Sequence, residues 1–205
     1  APTSSGLSLP EPRISIDAFR IRAQYRNLPQ PLEITGGTVT HHDRALAFAG
    51  CSARLGRSTA DRVGITLGLG DNGTIGISVG TATIFLDEAK AALGSFEATR
   101  PAADFIETGR GAIVIERCAI SGPLADPRRW TLSLRGSVND ALLAVPGDNR
   151  PVRLRQGTIT VEGDAASLTE ARIGFLDAQV AGNLFVEGCR TGIRRVKLRA
   201  EGSLG

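Results

Sequence analysis

The chain has no methionine, one tryptophan, one tyrosine and two histidines among its 205 residues. Each scarcity removes a class of chemistry. The histidines, His41 and His42, are neighbours, and with Asp43 they form the one metal-like cluster. Adjacent side chains on a strand point to opposite faces, so two neighbouring imidazoles do not easily share a metal, and the trio reads as a turn. No further histidine exists to serve a Ser-His-Asp or Cys-His centre. Catalysis by two carboxylates needs no histidine, but nothing marks a pair among the 21 acids. The expectation is a protein that is not an enzyme and holds no metal and no cofactor.

Aromatic residues make up 4% of the chain, and 24 basic residues stand against 21 acidic ones for a net charge of +3. Stacking platforms and a basic field are both weak, so nucleic acid is not an expected partner. One Trp and one Tyr also make a carbohydrate-active domain a poor fit. Only Lys90 and Lys197 are lysines, and the other basic residues are arginine. That usage reads as coding composition ahead of phosphate recognition. Cys51, Cys118 and Cys189 lie far apart, form no CxxC, and are odd in number, so they cannot all pair within the chain. They read as three buried small apolar side chains, with one disulfide plus a free thiol as the alternative. No apolar run reaches about 18 residues, so no helix is expected to span a membrane.

What the chain has is glycine, 25 residues of it with 10 prolines, and a two-residue alternation of apolar and polar positions. Residues 1–12, APTSSGLSLPEP, read as a linker. Residues 13–205 read as one β-rich domain, a fragment of a longer repeat-built protein. Ile14 and Ile16 alternate with polar neighbours, and so do Phe19, Ile21 and Ala23, with a slip of phase near Ala18 of the kind a β-bulge makes. A strand is expected over 45–55. Val63, Ile65, Leu67 and Leu69 mark another, and Ile75, Ile77 and Val79 its neighbour, joined by a hairpin at Asn72-Gly73. Residues 86–93 are helix formers with Asp87 placed to cap them, and a second short helix is possible over 102–106. Strands resume over 112–120, at Trp130, Leu132 and Leu134, over 151–161, 167–173 and 179–186, and from Arg194 to Ala200. The expected fold is all-β: an elongated, curled, antiparallel-rich sheet, either an open groove or sandwich-like, with one short helix near 86–93. In a sandwich, Ile113, Ile115, Leu132 and Leu134 would meet a second sheet.

Several motifs have plain structural readings. Gly68, Gly70 and Gly73 satisfy G-x-G-x-x-G, but a dinucleotide site needs a helix after it and here a strand is expected. Asn72-Gly73-Thr74 is a glycosylation triplet that a turn explains equally well. Arg194, Arg195, Lys197 and Arg199 give one strand a basic face; a solvated outer surface is the first reading, and lipid head groups or an anionic partner the second. Trp130 reads as core packing, then as an interfacial anchor.

Two stretches echo each other: PLEITGGTVT over 31–40 and PVRLRQGTIT over 151–160 share a proline, a glycine and two threonines, which suggests a repeated sheet unit. The run PLEITGGTVTHHDRALAFAGCSARLGRS resembles the repeat of AsmA-like proteins, an apolar strand, a Gly-Gly turn, and a strand closing on Leu-Gly-x-Ser. GRGAIVIERCAISGPLADPRRWTLSLRGSV is similar to the AsmA-like C-terminal region, and RPVRLRQGTITVEGDAASLTEARIGFLDAQVAGNLFVEG continues the likeness. The resemblance covers most of 31–188 and extends to TamB-like relatives. It implies a periplasmic part of a protein anchored in the inner membrane of a double-membrane bacterium, with a curled sheet whose apolar interior carries phospholipid towards the outer membrane. It supplies no catalytic residues. On that reading the groove lining is Ile65, Leu67, Ile75, Ile77, Ile113, Ile115, Leu132, Leu134, Ile159 and Val161, and the partner is phospholipid acyl chains. The alternative is a structural or protein-interaction β-sandwich without lipid cargo.

Overall fold

Alternation makes strands, and short loops make each strand pair with the next. The computed structural model describes residues 14–24, 28, 30–42, 44–70, 72–95, 100–104, 106, 110–126, 129–145, 148–175, 178–189, 192 and 194–204. The linker expected over 1–12 lies outside them, as do Asp43 and Asp71. In chain order the strands are β1 (Ile14–Asp17), β2 (Arg20–Ala23), β3 (Leu32–Thr35), β4 (Thr38–His42), β5 (Ala45–Leu55), β6 (Ser58–Gly68), β7 (Thr74–Val79) and β8 (Thr81–Phe85). Helices α1 (Leu86–Gly94) and α2 (Arg100–Asp104) follow, then β9 (Ala112–Pro123), β10 (Thr131–Val145), β11 (Asp148–Glu162), β12 (Ala165–Phe175), β13 (Ala178–Glu187) and β14 (Arg195–Leu204).

All fourteen strands belong to one curled antiparallel sheet. Three of the long strands are interrupted: β1 and β2 break at Ala18, β3 and β4 at Gly36-Gly37, β7 and β8 at Gly80. With each broken pair counted as one, 14 − 3 = 11 long strands run in sequential order, each against its neighbours in the chain. This is a meander, and at about 4.8 Å per strand it extends roughly 50 Å across the strands. No second sheet exists among the described residues.

The breaks line up. Ala18 donates its backbone N–H to the Gly37 carbonyl, and Gly80 donates to Asp61. The pairing register shifts between Phe48 and Ala53 on β5, between Arg135 and Gly136 on β10, between Leu154 and Thr158 on β11, and between Leu168 and Ala171 on β12. Ala18, Arg62, Asp140 and Glu170 take positive φ along the same line. A bulge bends its strand, so a row of bulges folds the whole sheet. Glycine makes the close approaches there possible: a Cβ on Gly37 would lie 2.3 Å from the Ala49 carbonyl oxygen, and one on Gly182 equally close to that of Arg199. The echoed segments 31–40 and 151–160 are both strands that cross this line, and their matched glycines, Gly37 and Gly157, sit on it. Asp140 is pinned by Arg153 Nε at 2.5 Å, which holds its carboxyl below the ordinary range.

The bend divides the sheet into two walls. One carries β1, β4 and β7; the other carries β2, β3, β8 and the helices. Helix α1 starts at Leu86 as expected and ends one residue later, at Gly94. Asp87 does not cap it. The N-cap position is Phe85, with no side-chain cap, and Asp87 lies in the first turn, where a carboxylate suits the helix dipole. Helix α2 begins two residues before the expected start, and Ile106 lies beyond it, bridged to Leu143 of β10. The core forms where this insert meets the sheet: Leu86 and Ile106 pack with Val138, Ala141, Leu154 and Ala171. Burying a side chain of Leu or Ile size contributes about 2–3 kcal/mol.

Candidate functional site

Directly opposed residues in an antiparallel sheet share a face. The register therefore traces an apolar ribbon. Ile16 pairs with Val39, Val39 with Phe48, Phe48 with Ile65, Ile65 with Ile77, Ile77 with Ile120, and Ile120 with Leu132. One step over, Val79 pairs with Cys118, Cys118 with Leu134, Leu134 with Val161, Val161 with Ala166, Ala166 with Val186, and Val186 with Val196. The two rows overlap on β7, β9 and β10, so one face is apolar from β1 to β14. All ten expected lining residues are on it. Ile65, Ile77 and Leu132 belong to the first row and Leu134 and Val161 to the second. Leu67 faces Ile75 beside the first row. Ile115 and Ile159 oppose Gly136, and Ile113 opposes Val138.

Two cavities open on this face. The larger, of about 520 Å³, lies between α1 and strands β3, β5, β6, β8 and β9, and its wall includes Leu55, Ala60, Ile84, Ile113, Ile115 and Cys118. The second, of about 270 Å³, is lined by Val138, Leu154, Ile159, Leu168, Leu184 and Val186 among others, so both walls of the bend contribute. Of the ten expected residues, Ile113, Ile115 and Ile159 line the cavities; the other seven lie along the face outside them. Leu132 and Leu134 pack around Ala82, Ile115 and Cys118. A polar hollow of about 550 Å³ lies elsewhere, between Gln156, Glu170, Arg172 and Arg199.

One charged group sits inside the apolar region. Glu88 of α1 is 9% exposed. Its carboxylate accepts from the backbone N–H groups of Arg57 and Ser58, both at 2.8 Å, from Ser58 Oγ at 2.5 Å, and from Arg57 Nε at 3.4 Å. Burial pushes its pKa up, but these donors outweigh burial and hold the carboxyl below its ordinary value. Arg57 also pairs with Asp87 and lies over the Phe85 ring. Gly56 leaves room for the carboxylate, since a Cβ there would meet Glu88 Oε1. Nothing in the local sequence announces this clasp, because its halves are about 30 residues apart.

The remaining candidates are structural in position. Arg195, Lys197 and Arg199 oppose Glu187, Phe185 and Asn183, on the face opposite Val196 and Leu198. The basic face is thus the outside of the sheet; Arg194 bonds Asp164 at 3.0 Å and Arg199 approaches Glu201 at 3.6 Å. His41 and His42 close β4, opposite Leu46 and Ala45. Among the described residues no group of three His, Cys, Asp or Glu side chains is placed to hold a metal. After Gly68, Gly70 and Gly73 a strand follows, not a helix, and the β6–β7 hairpin has a loop longer than two residues, since pairing stops at Leu67–Ile75. Trp130 donates its indole N–H to the Pro123 carbonyl at 2.7 Å and covers Gly122, tying the β9–β10 turn. Cys51 and Cys118 are buried free thiols, and burial pushes both pKa values up. Cys189 is free and exposed, which corrects the expectation of three buried cysteines. No described helix is long and apolar enough to cross a membrane. No family model, curated protein or solved structure matches the chain.

Proposed function

We propose that the apolar face binds phospholipid acyl chains, and that the chain is a non-enzymatic periplasmic module of an AsmA-like envelope protein, anchored in the inner membrane through its parent. The observation that carries the binding reading is the ribbon from Ile16 to Val196, continuous across all eleven long strands and leading into two apolar cavities. The larger has the size of a ligand pocket. Each methylene moved from water to such a wall gains about 0.8 kcal/mol, so ten or more provide ample drive. The wall is built of medium-sized aliphatic side chains with almost no polar partner, which suits chains of varied length and selects weakly among them. Compartment and anchor rest on the AsmA-like resemblance. The alternative, a structural or protein-interaction module without cargo, would have the ribbon covered by protein; every described strand lies in the one sheet.

Solvent extraction of the natively purified chain, followed by mass spectrometry, tests the reading. Phospholipid is expected at near-stoichiometric amounts, and Ile77→Lys, which puts a charge on the ribbon outside the core, is expected to reduce it at least about fivefold, since burying an unpaired ammonium is costly. Protein recovered free of lipid, and taking up none from vesicles, overturns it.

A further inference from the structure

Across the sheet from the ribbon, strands β11 to β14 carry the polar hollow of about 550 Å³, whose wall includes Gln156, Glu170, Arg172, Asn183, Arg199 and Glu201. A second hollow of about 430 Å³ adjoins it, sharing Arg172, Ala181 and Glu201. The register shows how they are made. Gln156 opposes Arg172, Arg172 opposes Ala181, and Ala181 opposes Glu201, so these four share one face. Ala181 is the small member of that row. It forms a floor between Arg172 and Glu201, whose strands lie two spacings, about 10 Å, apart. The neighbouring row has the opposite polarity: the Glu170 N–H donates to Asn183 Oδ1 at 2.9 Å, and Asn183 opposes Arg199.

Charged side chains on an outer face are ordinary, and opposite charges there normally close on one another. Elsewhere on this sheet they do: Arg135 meets Glu116 and Arg194 meets Asp164, each at 3.0 Å. The hollow differs. Two arginines and two glutamates line it, and among the described residues their one ion pair within 4 Å is Arg199–Glu201, at 3.6 Å inside a single strand. Arg172 and Glu170 close on no opposite charge. Asn183 spends its side-chain oxygen on the Glu170 N–H, which leaves its two amide N–H donors for another partner.

With two charges of each sign, this hollow favours neither a simple anion nor a simple cation. It fits a molecule that carries both. Guanidinium groups grip an oxyanion through paired N–H donors, and carboxylates accept the N–H groups of a primary ammonium. No described residue lining either hollow is aromatic, so the cage that recognises a quaternary ammonium is missing. We infer that the hollow over Ala181 binds a small zwitterion, its oxyanion at Arg172 and its primary ammonium at Glu201. A phosphoethanolamine group has this chemistry, whether free or as the head of a lipid. The site is on the other face from the ribbon and does not depend on the acyl-chain reading.

Titration of the isotope-labelled chain with phosphoethanolamine at low salt, followed by NMR at the Ala181 and Gly182 amides, tests the site. Saturable shifts are expected, with affinity at least about tenfold above that for inorganic phosphate, ethanolamine or phosphocholine, each of which lacks one of the two matched groups. Arg172→Gln and Glu201→Gln are each expected to weaken binding about tenfold, and so is Ala181→Leu, which fills the floor without touching a charge. All three positions are exposed, so the fold tolerates the changes. Ile77→Lys, on the ribbon, is expected to leave this binding unchanged, which keeps failure of the acyl-chain reading separate from failure of this one. Competition by phosphatidylethanolamine vesicles identifies the source as a lipid head, and lack of competition identifies a soluble compound; both uphold the site. Absence of shifts with phosphoethanolamine overturns it. So does equal affinity for inorganic phosphate, or undiminished binding in Ala181→Leu, since either reduces the hollow to unspecific charge attraction.

Discussion

On the wall beneath the helices, Val138, Ala141, Leu154 and Ala171 are 1–3% exposed. On the opposite wall Ile65, Ile77, Ile120 and Leu132 stay half-buried, and towards the edge Leu198 reaches 70%. Both walls are built from the same alternation. They differ in what lies over them: the helices cover much of one, with two apolar cavities left beside them, and nothing in the described chain covers the other. Apolar alternation therefore specifies a face that must be covered, and leaves open whether the chain or a ligand covers it. Folding stability concentrates where the helices press on the sheet, and binding capacity is left over along the bare wall and in the two cavities beside the helices.

The largest expected effect contrasts the two walls directly. Leu154→Ala removes a side chain that is 3% exposed and packed in the core with Leu86, Ile106 and Val138, and is expected to cost about 3 kcal/mol, a fall in Tm of about 6–12 °C for a chain of this size. Ile77→Ala on the bare wall removes a similar volume from a face already half open and is expected to cost about 1 kcal/mol or less. Chemical denaturation of the two variants gives the comparison. Similar losses at both positions would mean that the bare wall is packed as tightly as the covered one, and the distinction would fail.

The sheet was legible because its signal is local. Ile14 and Ile16, Ile65 and Leu67, Ile75 and Ile77 announce strands by alternation alone, the phase slip near Ala18 marks a break between β1 and β2, with Ala18 at positive φ and no extra residue as in a bulge, and the helix-former run at 86–93 became α1. The curl was not legible. Glycine was plentiful in the sequence, but only pairing shows that Gly37, Gly80, Gly136 and Gly157 fall on one line across strands far apart in the chain. The same limit hid the Ile106 bridge and the clasp. Ile106 and Leu143 are 37 residues apart, and Ser58 and Glu88 are 30 apart. Asp87, which looked like the cap of α1, was the wrong carboxylate to single out, because its neighbour Glu88 is the one turned into the sheet.

A smaller effect sharpens the contrast through pH. Glu88 ties the insert to the covered wall, and its folded pKa lies below the ordinary glutamate value of 4.5. A carboxyl with a depressed folded pKa stabilises the fold fully above its unfolded pKa, and that contribution is lost as pH falls through the folded value. The wild-type chain is therefore expected to lose stability below about pH 4.5, and Glu88→Gln to lose less over that interval. Thermal melts between pH 3 and pH 7, on the order of that window, provide the measurement. Parallel curves for the two proteins would remove Glu88 from the account of what holds the covered wall.

The smallest effect concerns the outside of the bare wall. Arg195, Lys197 and Arg199 stand on β14 facing solvent, on the opposite side from Val196 and Leu198. Exposed charges of this kind contribute little to stability, about 0–1 kcal/mol for an ion pair and less for an unpaired group. The triple change to Gln is expected to leave Tm within about 2 °C. Acyl-chain loading should also stay unchanged, because these side chains lie across the sheet from the ribbon. What should change is attraction to anionic vesicles: losing three positive charges weakens it at low salt, and the difference closes as the Debye length shortens to about 8 Å at physiological ionic strength. Co-sedimentation with anionic and neutral vesicles, beside lipid extraction of the same variant, separates the two faces. A drop in bound acyl chains without any change in vesicle attachment would place the basic residues inside the binding path, and the division between an apolar interior and a solvated exterior would no longer describe this sheet.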